Sequence, residues 1–304
     1  MNLVIPAQNS TAESHLTPVK PPSVLLMGAA GSGKTWSLST FVEAGLEVFV
    51  LGLEPNAADS LLDSVRARNL PVGKIHFHEV VPAPATWDQM DLVAKEIQRS
   101  SYEDLSKIKT GIGKSQMTHW LQLLQACKNF PDDLTGRSFG DVTEWGADRV
   151  LVIDSLSGLN QMARQFTVGL KPNMAQGEWG VAMELEGGLL RKLAADRGCF
   201  FVLIAHLDRN VDEITQATKV MPAALGNKLA PQIMKDFSEV VLARKVAVAN
   251  QPEPRYEWST NDTLADLKNR ALEARSSLPP SFVPLVEAHR RRIAQSATTP
   301  NTGA

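Results

Sequence analysis

The sequence predicts an α/β fold in which helices cover a mostly parallel sheet, with an antiparallel β extension towards the C-terminal end. Apolar, strand-like runs at 23–28, 48–53, 75–81, 149–154 and 199–207 alternate with helical patterns. Such alternation is typical of parallel sheets, because parallel strands require a crossover connection between them. After Phe237 the pattern changes to short β segments at 239–247, 255–260 and 264–269, and the extension is therefore placed at 238–270.

The first strand, 23–28, leads into a complete phosphate-binding motif. Residues 28–35 match G-x-x-x-x-G-K-[ST], with a further glycine at position 31. Glycines allow backbone N–H groups to turn towards phosphate oxygens, and a predicted helix at 36–43 adds partial positive charge. Lys34 is expected to reach the β- and γ-phosphates, and Thr35 is expected to ligate Mg²⁺. We therefore expect ATP to bind at Gly28, Ala29, Ala30, Gly31, Ser32, Gly33, Lys34, Thr35 and Trp36.

The second and fourth strands each lead to a carboxylate. Asp154 ends the run 149–154 and is the expected second Mg²⁺ ligand. Many P-loop motors carry a glutamate directly after this aspartate, whereas Ser155 follows here, so the general base must come from another strand. Glu54 follows the run 48–53, whose strand should lie close to the phosphate-loop strand, and is the candidate base. The alternative is that Glu54 only begins the turn into the next helix.

The last apolar run, 199–207, carries His206 towards its carboxyl end. His206 is a candidate sensor of the γ-phosphate, and the alternative is a structural histidine with satisfied hydrogen bonds. His76 and His78 alternate along the third strand and are interpreted as surface residues, because no further metal ligands lie near them in the sequence.

The connections contain predicted helices at 57–66, 87–99 and 178–197. Residues 101–147 are polar, with a helix near 115–130, and are interpreted as an insertion between core strands. Residues 1–22 form a predicted flexible arm, 23–294 a single domain and 295–304 a disordered tail. The 304 residues suffice for one large domain, and a net charge of −2 gives no global basic signature. No run reaches transmembrane length, and we expect a cytoplasmic protein without a membrane partner.

These motifs together resemble the RecA/RadA-like recombinase core. The resemblance rests on the phosphate loop, Glu54, Val-Ile-Asp-Ser at 152–155 and the polar strand end at His206, and it covers about residues 20–290. Lys268-Asn-Arg270 resembles the Lys-Asn-Lys element of RecA and the Lys-Asn-Arg element of RadA. The resemblance implies that Lys268 and Arg270 reach the γ-phosphate held by a neighbouring subunit. One alternative is that these residues form an exposed, charged strand edge. The other is that Arg244 and Lys245, on the preceding strand, supply the cations instead.

More specifically, the chain resembles the RecA-like ATPases of bacteriophages, some of which promote single-strand annealing or recombination, in the stretches 129–154, 177–188 and 226–230. The resemblance implies that residues 208–222 contact single-stranded DNA, with Arg209, Lys219 and the nearby Lys228 on phosphates. An ordinary surface loop is the alternative. The resemblance to the phage group also implies self-association into a filament or ring, and a phage or host single-strand-binding protein as a further partner. If the protein is phage-encoded, its expected location is the bacterial host cytoplasm. A hexameric helicase-like motor and a non-motor, ATP-dependent switch or scaffold remain open.

Overall fold

The computed structural model describes residues 19–81, 86–101, 117–169, 173–211, 218–226 and 228–298. Nine strands lie in these ranges: β1 (Ser23–Gly28), β2 (Glu47–Gly52), β3 (Ile75–Glu79), β4 (Arg149–Asp154), β5 (Phe200–Ala205), β6 (Leu207–Val211), β7 (Thr218–Pro222), β8 (Glu239–Val246) and β9 (Arg255–Ser259). The helices are α1 (Lys34–Ser37), α2 (Ser39–Glu43), α3 (Ala57–Ala67), α4 (Trp87–Arg99), α5 (His119–Lys128), α6 (Leu156–Val168), α7 (Gln176–Ala195), α8 (Leu229–Asp236) and α9 (Val283–Thr298).

Seven strands form one sheet in the order β3-β2-β4-β5-β1-β8-β9. The first six run parallel to their neighbours, and only β9 is antiparallel. This confirms the predicted α/β fold with a mostly parallel sheet. The central strands are apolar along their whole length because helices cover both faces. Helices α5, α6, α7 and α8 pack on one face, and α2, α3 and α9 pack on the other.

Two details of the predicted sheet are wrong. Strand β8 pairs in parallel with β1, so the C-terminal extension begins inside the main sheet and contributes only β9 as an antiparallel strand. The segment 264–269 forms isolated bridges at Ala265 and Lys268 instead of a regular strand. Short segments of this kind carry no periodicity from which pairing direction can be read, because direction depends on distant strands.

The connection between β3 and β4 belongs to the core where it is described. Trp120, Leu123, Phe130 and Trp145 are each at most 5% exposed and pack with the strands. The described part of the segment interpreted as an insertion, 117–147, therefore packs into the core, while residues 102–116 lie outside the described ranges. At the termini, residues 21 and 22 are buried. Helix α9 continues to residue 298, four residues into the predicted disordered tail.

In the described ranges, the free edge of β3 is closed by the segment 132–133. The backbone N–H of Asp133 donates to the carbonyl oxygen of Phe77 at 2.8 Å, and the two aspartate side chains make further contacts. Asp132 accepts hydrogen bonds from the backbone N–H of Phe77 and shares a contact of 3.0 Å with His76 Nδ1. Asp133 pairs in the same way with the backbone of Glu79 and with the ring of His78. His76 is only 5% exposed and stacks on Phe49, so the interpretation of His76 as a surface residue is wrong.

Candidate active site

The loop between β1 and α1 has the backbone that a phosphate cradle requires. Gly31 and Gly33 have φ values of 69° and 81°, a left-handed region that favours glycine. A Cβ at Gly28 would lie 2.5 Å from Ser32 Oγ and 2.6 Å from the carbonyl oxygen of Ala243. The three glycines are therefore required by local geometry. The buried Ser32 hydroxyl has no hydrogen-bond partner in the part of the chain that the structure describes.

Lys34 and Thr35 stand at the start of α1, directly after this loop. Lys34 Nζ donates hydrogen bonds to the carbonyl oxygens of Gly28 and Ala29, at 2.8 Å and 2.9 Å. Burial lowers the pKa of the Lys34 ammonium, and the negative charges of Asp154 and Glu54 oppose this effect. The lysine is therefore held against the loop by backbone carbonyls while two carboxylates lie close enough to act on its charge.

Asp154 ends β4 and faces the same loop. Thr35 Oγ1 donates a hydrogen bond to Asp154 Oδ2 at 2.8 Å, which brings together the two expected Mg²⁺ ligands. Asp154 is 6% exposed, and burial raises the pKa of its carboxyl to about 6 although the hydrogen bond from Thr35 opposes the shift. A hydroxyl and a buried carboxylate beside a phosphate loop are oxygen ligands of the kind that Mg²⁺ prefers. The residues present therefore fit a Mg²⁺–nucleotide complex.

Glu54 follows β2 and is placed beside Asp154 rather than beside the phosphate-loop strand. Strands β4 and β5 separate β2 from β1, so the expected proximity of these two strands is wrong. The backbone N–H of Leu53 donates to the carbonyl oxygen of Asp154 at 2.7 Å, which keeps the two strand ends together. The Ser155 hydroxyl donates to Glu54 Oε1, and His206 Nε2 lies 3.9 Å from Glu54 Oε2.

The ends of β1, β2, β4 and β5 thus surround one cleft of about 230 Å³. Its walls include the phosphate loop, Glu54, Asp154 and His206, together with Asn56 before α3 and Ser60 in its first turn. Ligands of open α/β sheets bind outside the carboxyl ends of the strands, and this cleft occupies that position. The sequence analysis did not single out Asn56 or Ser60, because neither stands in a motif.

Tyr256 is a further neighbour of the phosphate loop that the sequence analysis did not single out. Its ring lies 3.2 Å from the position of a Cβ added at Gly33. Tyr256 belongs to β9, more than 200 residues along the chain, and only the pairing of β9 with β8 places it here. On β8, Lys245 Nζ lies 6.0 Å from the Tyr256 ring centroid, and Arg244 is engaged by Asp262 at 2.7 Å.

Lys268 and Arg270 lie beside the amino-terminal end of β8, whereas the phosphate loop follows the carboxyl end of the neighbouring β1. Lys268 pairs with Val240 near the start of β8, whereas Gly28 is in register with Ala243 towards the end of that strand. The structure therefore does not bring these two cations to the phosphate loop of the same chain. They line a separate cleft of about 260 Å³ that also contains the cationic side chains of Lys20, Arg197, Lys235 and Arg292.

Two of the three candidate DNA contacts lie on one hairpin, and the third lies outside it. Strands β6 and β7 form an antiparallel hairpin that begins one residue after His206, so the predicted loop is instead a β ribbon where it is described. Arg209 lies on β6, and Lys219 on β7 makes an ion pair with Asp266 at 3.0 Å. Lys228 lies before α8, outside the hairpin. Residues 212–217 are outside the described ranges.

The described ranges contain neither a cluster of metal ligands nor a membrane-spanning helix. In those ranges no group of three or more histidine, cysteine, aspartate or glutamate residues could hold a metal ion. None of the helices found there is long and apolar enough to cross a membrane.

Comparison with known proteins adds little to this geometry. No protein-family model and no curated protein matches the sequence. The solved structures with a similar fold include the flagellar accessory protein FlaH from Methanocaldococcus jannaschii, at 8% identity and a TM-score of 0.34, covering 87% of this chain and 82% of FlaH. They also include the RadB recombinase, at 10% identity and a TM-score of 0.33, covering 83% of this chain and 92% of RadB.

The class of protein follows from the chain's own strand order and site. A phosphate loop after β1, a carboxylate at the end of β4 and a second carboxylate after the adjacent β2 define a P-loop protein with a mostly parallel α/β sheet.

Proposed function

We propose that this protein binds Mg²⁺–ATP and hydrolyses it. The observation that carries the proposal is the meeting of Lys34, Thr35, Asp154, Glu54 and His206 around one cleft at the carboxyl ends of four strands. Phosphoryl transfer requires positioning and charge stabilisation more than covalent chemistry, and these residue types supply both. A bound Mg²⁺ would neutralise negative charge on the phosphate oxygens.

Each side chain has a distinct role in this proposal. Thr35 and Asp154 hold the metal ion, and the Lys34 ammonium leaves the carbonyls of the loop for phosphate oxygens. Glu54 orients a water molecule and accepts its proton. His206 lies between this base and the hairpin β6–β7, and we assign it the role of sensing the γ-phosphate.

Steady-state ATPase assays with and without Mg²⁺ test the proposal. Lys34→Ala should abolish turnover, whereas Lys95→Ala, at an exposed lysine on α4, should leave it unchanged. Glu54→Gln should retain nucleotide binding and lose hydrolysis, with Glu43→Gln as the exposed control. Normal turnover in Lys34→Ala would contradict the assignment of the phosphate site, and normal turnover in Glu54→Gln would place the base elsewhere.

We further propose that the ATPase is a phage-type recombination or annealing protein that acts on single-stranded DNA. Support comes from the sequence resemblance and from the hairpin β6–β7, which follows His206 directly and carries the exposed Arg209. The hairpin begins at the residue after His206, so a nucleotide-dependent movement of His206 would be transmitted directly to the DNA-contacting element. Lys219 and Lys228 are the other proposed phosphate contacts, and the host cytoplasm is the proposed site of action.

DNA-stimulated turnover tests this second level of the proposal. Oligo-dT should raise the ATPase rate at low salt, and Arg209→Ala should reduce both this stimulation and DNA affinity without changing the basal rate. Phosphate contacts are salt-dependent, so the affinity should fall as the salt concentration rises. Equal rates with and without DNA would contradict action on single strands and would favour an ATP-dependent switch or scaffold.

We also propose that the ATP site is completed between subunits by Lys268 and Arg270. Both lie at the opposite end of the strands from the phosphate loop, as expected for cations that serve a neighbour in a head-to-tail assembly. A cation supplied in trans can raise the rate by about 10³- to 10⁵-fold. Mixed oligomers of Arg270→Ala and Lys34→Ala should recover turnover, and a failure to recover would indicate a site within one subunit. Electron microscopy would distinguish a filament from a ring.

A further inference from the structure

We propose that Ser155 is a positioning residue for hydrolysis, because its hydroxyl holds one oxygen of the Glu54 carboxylate and leaves the other facing His206. This inference rests on the proposed ATPase function and adds a residue that acts through Glu54. It concerns the position at which many P-loop motors carry the base itself. Here the residue at that position, Ser155, holds a base that is supplied by the neighbouring strand β2.

The surroundings of Ser155 determine where its proton points. Ser155 is 1% exposed and is the N-cap residue of α6, where its Oγ accepts a hydrogen bond from the backbone N–H of Ser157 at 3.2 Å. A serine hydroxyl has one proton and two acceptor positions. Because Ser157 occupies an acceptor position, the single proton is available to Glu54 Oε1, to which Ser155 donates. The helix cap thus orients the hydroxyl that orients the carboxylate.

The carboxylate itself is otherwise free to rotate into solvent. The Glu54 side chain is 37% exposed, and its second contact is the ring of His206, whose Nε2 lies 3.9 Å from Oε2. A glutamate with several rotatable bonds reaches a reactive geometry only part of the time unless another group holds it. Ser155 holds Oε1 from the buried side, so Oε2 is left for water at the open side of the cleft.

The pairing of β2 with β4 makes this contact possible. Gly52 is in register with Asp154, so Glu54 and Ser155 extend beyond the paired ends of adjacent strands. The hydrogen bond from the backbone N–H of Leu53 to the carbonyl oxygen of Asp154 holds the residues directly before Glu54 and Ser155 together. Ser155 and Glu54 are 101 residues apart in the chain and meet only through this register.

Three substitutions at Ser155 separate positioning from a structural role. Ser155→Ala and Ser155→Gly both remove the hydroxyl, but glycine is itself a well tolerated N-cap residue and keeps the start of α6 intact. Ser155→Thr keeps the hydroxyl. Measurements are the steady-state kcat and KM for ATP, the Kd of a fluorescent ATP analogue and the melting temperature, for each variant and for Glu54→Gln.

We expect Ser155→Ala and Ser155→Gly to lower kcat by about 10- to 100-fold, with an unchanged Kd for the analogue. Ser155→Thr should retain most of the wild-type kcat. In a Glu54→Gln background, Ser155→Gly should cause no further loss in single-turnover assays with radiolabelled ATP, because the side chain that it positions is no longer a base.

Two results would overturn the inference. One is a kcat for Ser155→Gly close to that of the wild type while Glu54→Gln is inactive, which would leave the ATPase proposal standing. The other is a lower kcat for Ser155→Gly that is accompanied by weaker binding of the ATP analogue and by a lower melting temperature, which would indicate a purely structural serine. Absence of turnover in the wild type would overturn both the ATPase proposal and this inference.

Discussion

Replacing Asp154 with asparagine separates the contribution of its charge to metal binding from its effect on folding. The carboxyl is buried at the end of β4, and burial raises its pKa to about 6 from the ordinary 3.8. An asparagine has nearly the same shape, and its side-chain oxygen can still accept the hydrogen bond from Thr35. The substitution therefore removes a buried charge while the surrounding packing and the Thr35 contact are retained.

The sign and size of the stability change follow from proton linkage. A carboxyl whose pKa is raised by folding holds its proton more tightly in the folded state, so it destabilises the protein as the pH rises from about 3.8 through 6. At pH 8 this cost is about 3 kcal/mol, and at pH 5 it is about half as large. Asp154→Asn carries no such charge and should be more stable than the wild type by these amounts.

Urea unfolding of both proteins at pH 5 and pH 8, in the absence of nucleotide, measures the difference. Asp63→Asn on α3, where the carboxylate is 66% exposed, is the matched control and should change stability by less than about 0.5 kcal/mol. Addition of Mg²⁺–ATP should then stabilise the wild type much more than Asp154→Asn, because the variant lacks an ionised metal ligand.

Two outcomes would refute this reasoning. If Asp154→Asn is equally or less stable than the wild type at pH 8, the buried carboxylate is not a folding cost. If the stability difference is the same at pH 5 and pH 8, it arises from packing or hydrogen bonding and not from the charge. Full stabilisation of the variant by Mg²⁺–ATP would contradict the metal-ligand role.

Three further substitutions test other parts of the structure. Glu186 is fully buried on α7 and burial raises its pKa to about 8, so the wild type loses stability as the pH rises from 4.5 through 8. The stability advantage of Glu186→Gln over the wild type in urea unfolding should therefore grow by about 2–3 kcal/mol from pH 6 to pH 9. Gly28→Ala should destabilise by about 1–3 kcal/mol and weaken nucleotide binding in a fluorescence titration, whereas Gly177→Ala, in open space on α7, should be neutral or stabilising. Asp132→Ala should cost about 2–4 kcal/mol because it removes the side-chain acceptor of the Phe77 N–H at the β3 edge and leaves His76 Nδ1 buried without its partner, and unchanged thermal stability would contradict that role.

The predictions that the structure matches depend on short-range patterns. The five apolar runs and most helices lie within a few residues of their predicted positions, because periodicity and turn residues act over one element at a time. The phosphate loop is equally local, since its conformation depends on glycines within eight consecutive residues. The proposed roles of Glu54 and His206 rest on the same kind of argument, that polar residues follow buried strands.

The predictions that fail depend on distant partners. His76 is polar and occupies every second position of β3 together with His78, which is typical of an exposed face. Asp132 and the Phe49 ring, which are distant from His76 in the sequence, nevertheless provide it with a buried environment. The direction of β8 depends on its pairing with β1, more than 200 residues earlier. Part of the segment 101–147 is polar on average but places Trp120 and Trp145 in the core, and average composition conceals such single buried positions.

The sequence by itself determines that this chain carries a phosphate loop between a buried strand and a helix, because glycine conformation and strand–helix periodicity are local properties. It also places carboxylates after two strands and cations near the C-terminus. Only the tertiary structure decides which of these meet. The strand order puts Glu54 beside Asp154, and the register of β2 with β4 brings the Ser155 hydroxyl to that carboxylate. The bridge from Lys268 to Val240, near the start of β8, keeps the C-terminal cations away from the phosphate loop of the same chain. The physical reason is that backbone pairing between distant strands, rather than any property of a single segment, sets these distances.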